Sequence, residues 1–554
     1  MADRTDINYT FSDADLEQLK AYGTIEPYEK GALIQPEGEL GVACIITLSG
    51  YTDIMMRSGE EDERLGWMEP GQFSGDVSVL TGERSVVSVY MGEAGEVLRI
   101  ERSQFERLLV ENSYFSDIFV RVLTARRQFG LSRDMQSILV IGPKTDRATY
   151  TIRDQLSAHH QPYRWLDAES DDLAQRLLKS KGLERPEWPV VLLGGSDVMI
   201  APSPSKLAGV LGLDLLPDGA AADVIVVGAG PGGLAASVYA ASEGLSVLTL
   251  DARAPGGQAG TSSKIENYLG FPLGVSGSEL AARAVVQAQK FGTRIASPVS
   301  AIKLERSPQG FCLTLDDQRK VEARAVVLAA GAQYRRLPID GIEDYEGRGI
   351  YYGATPLEAQ LCGGTEVTLV GAGNSAGQGA VYLASVAKQV NVVYRRSDIR
   401  DTMSEYLVRR LEEAPNIALY PNSEVVEVAG SDASGSTHLN QVTLLNRQTG
   451  ARSTCASPFL FLFLGAAPCS DWLPADIATD PRGFVLTGRE ISEDELGVAG
   501  WSRKRTPTRF ETSWPGVFAV GDIRSGSVKR VASSVGEGSV VVSDVHKILS
   551  EAAD

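Results

Sequence analysis

The hydrophobic and polar positions change rhythm several times along the chain. Up to about residue 134, apolar residues come in short runs. They are broken by the turn-forming groups Pro36-Glu37-Gly38, Ser58-Gly59, Pro70-Gly71 and Thr81-Gly82, the signature of a β-rich unit. Helical patterns flank it at Asp13–Tyr22 and Ser103–Phe129. Near Ser137 strands and helices begin to alternate. Strands are predicted at Ile138–Ile141, Tyr163–Leu166 and Pro189–Leu193, and helices at Thr149–His159 and Asp171–Lys181. A Gly194-Gly195 turn and a short helix at Ser205–Leu211 follow. The linker Leu216–Ala222, made of Pro, Asp, Gly and Ala, closes this α/β unit. From Asp223 on, the alternation is of the βαβ kind. Gly430–Ser436 reads as a hairpin tip, and Phe459–Leu464 as a short buried strand.

Two of the predicted strands run straight into glycine-rich loops. Val224–Val227 leads into Gly228-Ala229-Gly230-Pro231-Gly232-Gly233, and Val367–Val370 into Gly371-Ala372-Gly373-Asn374-Ser375-Ala376. In such a loop the first glycine permits a tight turn and the second lets backbone approach a pyrophosphate. The third position lets the helix pack close to its strand. Asp251 ends the next strand after the first loop, where a carboxylate accepts from a ribose hydroxyl. After the second loop the equivalent strand ends in Tyr394-Arg395-Arg396, with Arg400 following. Guanidinium groups there match a 2′-phosphate, which favours NADPH over NADH.

At 554 residues the chain requires several domains. Its formal charge of −18 disfavours nonspecific contact with nucleic acid or anionic membrane. No apolar run approaches the ~18 residues that cross a bilayer. The polar, acidic N-terminus has no apolar signal segment, which points to the cytoplasm. Five scattered cysteines without a Cys-x-x-Cys pair suit a reducing compartment. Four histidines without clustered cysteines give no reason to expect a metal.

From Val224 onward the chain resembles the low-molecular-weight bacterial thioredoxin reductases. Both loops carry the resemblance, together with Gly256-Gly257-Gln258, Glu266-Asn267-Tyr268-Leu269-Gly270-Phe271-Pro272, Ala329-Ala330-Gly331-Ala332 and Pro515-Gly516-Val517-Phe518-Ala519-Val520-Gly521-Asp522. The resemblance implies two Rossmann-like domains: an FAD domain split into 222–340 and 468–554, with an NADPH domain, 341–467, inserted. Gly257 and Gln258 would lie near the isoalloxazine, Asn267 would face it, and Asp522 after Gly521 would hold the ribityl chain. The resemblance also implies a homodimer.

The pattern breaks at one place. Disulfide-reducing members begin the insert with Cys-Ala-Thr-Cys, and here the residues are Gly353-Ala354-Thr355-Pro356. Neither Gly353 nor Pro356 can form a thiolate. Hydride transfer from NADPH to FAD needs orientation rather than a titrating residue, so the input survives while the output changes. The acceptor is open between dioxygen, a quinone, a ferredoxin-like or flavodoxin-like carrier, and an external disulfide. Cys362 is the nearest thiol in sequence and reads as a small buried hydrophobe. Two alternatives stand beside the enzyme: a flavin-based redox or ligand sensor, and a thioredoxin-disulfide reductase using a non-standard cysteine.

Residues 1–134 resemble cyclic-nucleotide-binding domains. Gly71-Gln72-Phe73-Ser74-Gly75-Asp76 and Leu80-Thr81-Gly82-Glu83-Arg84-Ser85 carry the resemblance. Asp76 stands where that family has Glu for the ribose, and Arg84 and Ser85 where it holds the cyclic phosphate. A cyclic nucleotide is therefore a candidate ligand, and no helix-turn-helix follows to contact DNA. Residues 137–216 resemble thioredoxin or glutaredoxin folds, with a cis-proline expected at Trp188-Pro189. Gly142-Pro143-Lys144-Thr145 occupies the redox-motif position without cysteine.

Overall fold

The structure is a computed structural model and describes residues 7–58, 61–132, 138–184, 186–193, 197–214, 216–262, 264–431, 438–501 and 503–551. The centres of the Ser58-Gly59 and Gly194-Gly195 turns and the hairpin tip after Ser431 lie outside the described residues.

The N-terminal unit is a β-roll of two sheets. One orders its strands Thr24–Tyr28, Gly95–Ile100, Cys44–Thr47; the other Leu33–Gln35, Ser88–Glu93, Tyr51–Ser58, Glu61–Met68. A one-turn helix, α1 (Ser78–Thr81), lies between Glu61–Met68 and Ser88–Glu93 in sequence. The single helix predicted over Ser103–Phe129 is in fact two, Arg102–Glu111 and α2 (Ser113–Ser132). Asn112 breaks it: its backbone is extended and its side chain accepts from the Phe115 amide at 3.3 Å. The apolar periodicity runs through this break, so sequence does not reveal it. These helices bring Phe105 and Phe119 onto Phe73, with the Phe73 and Phe119 ring centroids 4.7 Å apart.

The next unit builds a four-stranded mixed sheet from β1 (Ile138–Gly142), β2 (Tyr163–Asp167), β3 (Val190–Leu193) and β4 (Asp197–Ile200), in the order β4-β3-β1-β2. β1 and β2 are parallel; β3 is antiparallel to β1, and β4 to β3. Helices α3 (Arg147–Ala158) and α4 (Pro204–Leu211) cover one face through Ile152, Leu156, Leu207 and Leu211. The helix Asp172–Ser180 covers the other through Ala174 and Leu178. This is the layering a thioredoxin-like module requires, and the Trp188-Pro189 peptide is cis. The edge strand β4 escaped sequence reading. Its four residues are too few to show a period, and pairing with β3 alone makes it a strand.

In the FAD-side sheet, β5 (Ala220–Val227) lies between β6 (Val247–Leu250) and β7 (Lys320–Leu328), all parallel. The strand Val517–Ala519 then returns from far along the chain to pair with Val326–Leu328. The sheet is thus closed only after the insert has been threaded. Helices α5 (Pro231–Ser242) and α6 (Gly277–Lys290) flank it. The insert has its own five-stranded parallel sheet, with β8 (Glu366–Val370) central and β9 (Gln389–Val393) beside it. Its helices are α7 (Pro356–Cys362), α8 (Asn374–Ala384) and α9 (Glu405–Glu413). The C-terminal helix α10 (Val531–Glu551) packs back on α5.

Candidate functional site

At the first glycine loop the structure shows a separate reason for each glycine. A Cβ on Gly228 would lie 2.2 Å from the Ala329 carbonyl oxygen, and one on Gly233 only 1.8 Å from that of Gly228. A Cβ on Gly230 would meet nothing within 4 Å, so open space faces its backbone where a pyrophosphate has to approach. The same holds at the second loop. A Cβ on Gly371 would come within 2.8 Å of Phe463 O, while Gly373 faces open space. Both loops open helices, α5 and α8, and no side chain caps either N-terminus.

The other flavin-side residues gather at the same strand ends. Asp251 follows β6 and holds the loop: its carboxylate accepts from the Ala229 amide at 2.7 Å and the Arg253 amide at 2.9 Å. Burial pushes its pKa up, against the pull of those amides. Each oxygen keeps a lone pair for a ribose hydroxyl. Gly257 leans on the loop, with its Cβ position 3.1 Å from Gly230 Cα, and the Gln258 side-chain amide donates to Ala332 O. Asn267 is exposed. The Gly521 amide donates to Glu537 on α10 at 2.7 Å. The half-buried carboxylate of Asp522 has no protein donor among the described residues, an acceptor left for a polyol. Burial raises its pKa, while nearby Lys529 pulls it down. These residues fit FAD.

On the insert the arginines divide into two kinds. Arg395 is exposed, with no ion-pair partner among the described residues, and Arg396 only approaches Asp401, at 3.7 Å. Arg400, expected at the 2′-phosphate, donates from Nη2 to both oxygens of the Glu412 carboxylate of α9, at 2.7 and 2.9 Å, in an exposed pair. Asn374 accepts from the Ser404 amide at 2.7 Å, and Ser375 is exposed at the start of α8. The open second glycine and the two remaining arginines fit NADPH.

The segment Gly353–Pro356 leads into a helix start. Thr355 and Glu358 form a capping box for α7, with Pro356 in its first turn. Gly353 lies beside Thr261 of the FAD domain, its Cβ position 3.7 Å away. Cys362 is fully buried, and burial pushes its thiol up to about 11. At neutral pH it is not a thiolate, which removes the nearest substitute.

The β-roll residues expected to hold a cyclic nucleotide are all engaged inside the chain. Asp76 receives Arg127 Nε of α2 at 2.6 Å and the Ser78 amide at 2.9 Å. Arg127 also reaches Glu83 at 3.2 Å. Arg84 Nη2 donates to Asp197 of β4 at 2.9 Å, and Ser85 Oγ donates to Val87 O. Sequence reading missed Arg127, which has no motif and reaches the cassette only because α2 folds back over it.

Residues 222–538, more than half of the 554-residue chain, match the family described as Pyridine nucleotide-disulphide oxidoreductase, and the chain belongs to it. Residues 25–112 match the Cyclic nucleotide-binding domain. The thioredoxin reductase of Bacillus subtilis (strain 168) is 30% identical over 329 residues, covering 59% of this chain and 95% of the relative. The bifunctional thioredoxin reductase/thioredoxin of Mycobacterium leprae (strain TN) is 31% identical over 333 residues, 60% of this chain and 66% of the relative. Among solved structures, T. acidophilum thioredoxin reductase superposes with a TM-score of 0.52 at 27% identity, covering 59% of this chain and 98% of that one. Lactococcus lactis thioredoxin reductase in its FR conformation gives 0.52 at 25% identity, covering 60% and 99%. The protein is a thioredoxin reductase-like oxidoreductase, a flavoprotein of a family that uses FAD and NADPH.

The Asp76–Arg127 pair makes the β-roll acid-sensitive. Burial disfavours the Asp76 charge, but Arg127 and Ser78 outweigh it and hold the pKa below its ordinary 3.8. Its stabilisation is therefore complete above that ordinary value and is lost as pH falls through the lowered one. Asp76→Asn should cost the β-roll about 3 kcal/mol at neutral pH. It should also flatten the acid limb of a denaturation profile measured from pH 6 downward, as roughly follows from proton linkage.

Proposed function

We propose that the protein is an NADPH-dependent flavoenzyme whose electrons leave at the flavin itself, toward an acceptor that comes to it, and not through an internal dithiol. The observation that carries this reading is the pairing of two open glycine loops with a capped helix start at Gly353–Pro356. When bound, NADPH and FAD would supply hydride-transfer chemistry between the two glycine loops. The chain's own part is to bind, orient and exclude water. Asp251 and Asp522 hold polyol hydroxyls; Arg395 and Arg396 meet the 2′-phosphate. The fully buried Cys362 argues against thioredoxin-disulfide reduction through a non-standard cysteine. We place the enzyme in the cytoplasm as a homodimer. Dioxygen, quinones and carrier proteins are the acceptors in view.

The β-roll enters as a regulatory element. The Asp197 carboxylate and a cyclic phosphate would draw on the same Arg84 guanidinium, so nucleotide and α/β unit compete for it. Asp197→Ala should therefore bind cyclic AMP or cyclic GMP more tightly than the unaltered chain. Calorimetry giving equal heats for both proteins would remove the competition.

Anaerobic stopped-flow mixing with NADPH tests the main reading. The flavin should bleach within the dead time to seconds, and a flavin that stays oxidised would leave the sensor reading instead. Arg395→Ala/Arg396→Ala should raise the KM for NADPH by about tenfold or more, the loss of one or two charge-assisted contacts. The KM for NADH should stay nearly unchanged.

A further inference from the structure

The insert hangs from the FAD domain by a two-stranded ribbon, Ala332–Tyr334 against Ala466–Pro468. A ribbon this narrow is a hinge unless other contacts bridge it. Arg410 of α9 makes one such contact, its Nη1 and Nη2 donating to Glu266 at 2.8 and 3.3 Å.

Helix α3 of the α/β unit spans the gap as well, and with more contacts. Toward the FAD domain, the Asp154 carboxylate receives Arg253 Nη2 at 2.6 and 2.8 Å and Nε at 3.2 Å. That is fork geometry. Just past the helix end, His159 Nε2 lies 3.0 Å from Ser297 Oγ, and His160 Nε2 lies 2.8 Å from Ser278 Oγ. Toward the insert, Tyr150 Oη donates to Glu358 Oε1 at 2.9 Å, and its ring packs on Tyr351 at 5.1 Å. Arg147 approaches Glu346 at 3.8 Å, and the Gly347 backbone lies against the Tyr150 ring. Tyr150 and Asp154 are four residues apart, hence stacked on one helix face. That face meets both dinucleotide domains.

The two ends of α3 land on sites that matter. Arg253 sits two residues past Asp251 and donates its amide to that carboxylate. Glu358 caps α7 directly after Gly353–Pro356 and is almost fully buried, so losing Tyr150 leaves one of its oxygens without that donor. A third domain keeps the helix in place: buried Gln161 donates to Glu83 of the β-roll cassette at 2.9 Å.

We infer that α3 is a latch that holds the NADPH-binding insert at one orientation to the FAD domain, with Tyr150 and Asp154 as its two jaws. Its redox-inactive module thereby has a use that needs no cysteine. The geometry stands by itself; the consequence for electron transfer rests on the flavoenzyme reading above.

The test measures a distance between the domains in the full chain. Nitroxide labels go on Tyr239→Cys of the FAD domain and Val386→Cys of the insert, both surface positions, with half-exposed Cys312 and Cys469 changed to Ser. Double electron–electron resonance on labelled chain diluted into an excess of unlabelled chain, so that a dimer carries at most one labelled protomer, should give one narrow distance. Tyr150→Phe/Asp154→Asn removes only the jaws' bonds and preserves shape, and a second distance should then appear in about a tenth of the molecules or more. An unchanged single distance in that variant, or two distances already present with the latch intact, overturns the inference. Flavin bleaching by NADPH, read on the same samples, separates this outcome from failure of the flavoenzyme reading. Absence of bleaching sinks the latter whatever the distances show.

Discussion

The flavin side of the molecule depends on one close approach of backbone to backbone. Where α10 crosses α5, a Cβ on Gly538 would lie 2.1 Å from the Gly232 carbonyl oxygen. Only glycine permits that crossing. It draws the C-terminal helix onto the helix that opens at the first loop, and it accompanies the return of Val517–Ala519 to β7. Gly521 and Asp522 are thereby brought from the end of the chain to the strand ends that carry Gly230 and Asp251. A site assembled from residues nearly 300 positions apart exists because two helices can touch through hydrogen atoms alone.

The segment Gly353–Glu358 is built as a capped helix start that also touches another domain. Thr355 caps, Pro356 pre-sets the first turn, and Glu358 completes the box while reaching Tyr150 of another domain. A thiol pair needs freedom to be attacked; a proline-led, doubly capped helix start has little. The same exchange of reactivity for structure occurs in the β-roll. There Asp76, Glu83 and Arg84 carry a nucleotide-binding pattern but are satisfied by Arg127, Gln161 and Asp197. It occurs a third time in the α/β unit, whose redox-motif position precedes the helix that bridges both dinucleotide domains. Each module keeps the shape of a chemical machine and applies its polar groups to interfaces.

Much of this was legible in the residues because the signals are local. The glycine loops, the carboxylate and arginines at neighbouring strand ends, the cis peptide before Pro189 and the missing dithiol all depend on short spacings. The structure shows both loops between a strand and a helix and the Trp188-Pro189 peptide cis. The break at Asn112, the edge strand β4, the commitment of Arg400 to Glu412 and the sealing of the cassette by Arg127 were not legible. The break is a single backbone conformation, β4 and Arg400 depend on pairing with nearby elements, and Arg127 on a carboxylate 51 residues away. Periodicity and motif spacing carry no record of these.

What the amino-acid order determines alone is therefore the kind of ligand each loop can cradle and the chemistry that Gly353 and Pro356 forbid. Both follow from the atoms a residue has or lacks. Which charged groups remain free to meet a ligand was decided in three dimensions. An Arg or Asp presents the same donors and acceptors to a phosphate, a sugar or a neighbouring domain, and only packing selects among them. Arg395 stays in solvent while Arg84 and Arg400 are paired, and the difference lies in the carboxylates that folding brings beside them.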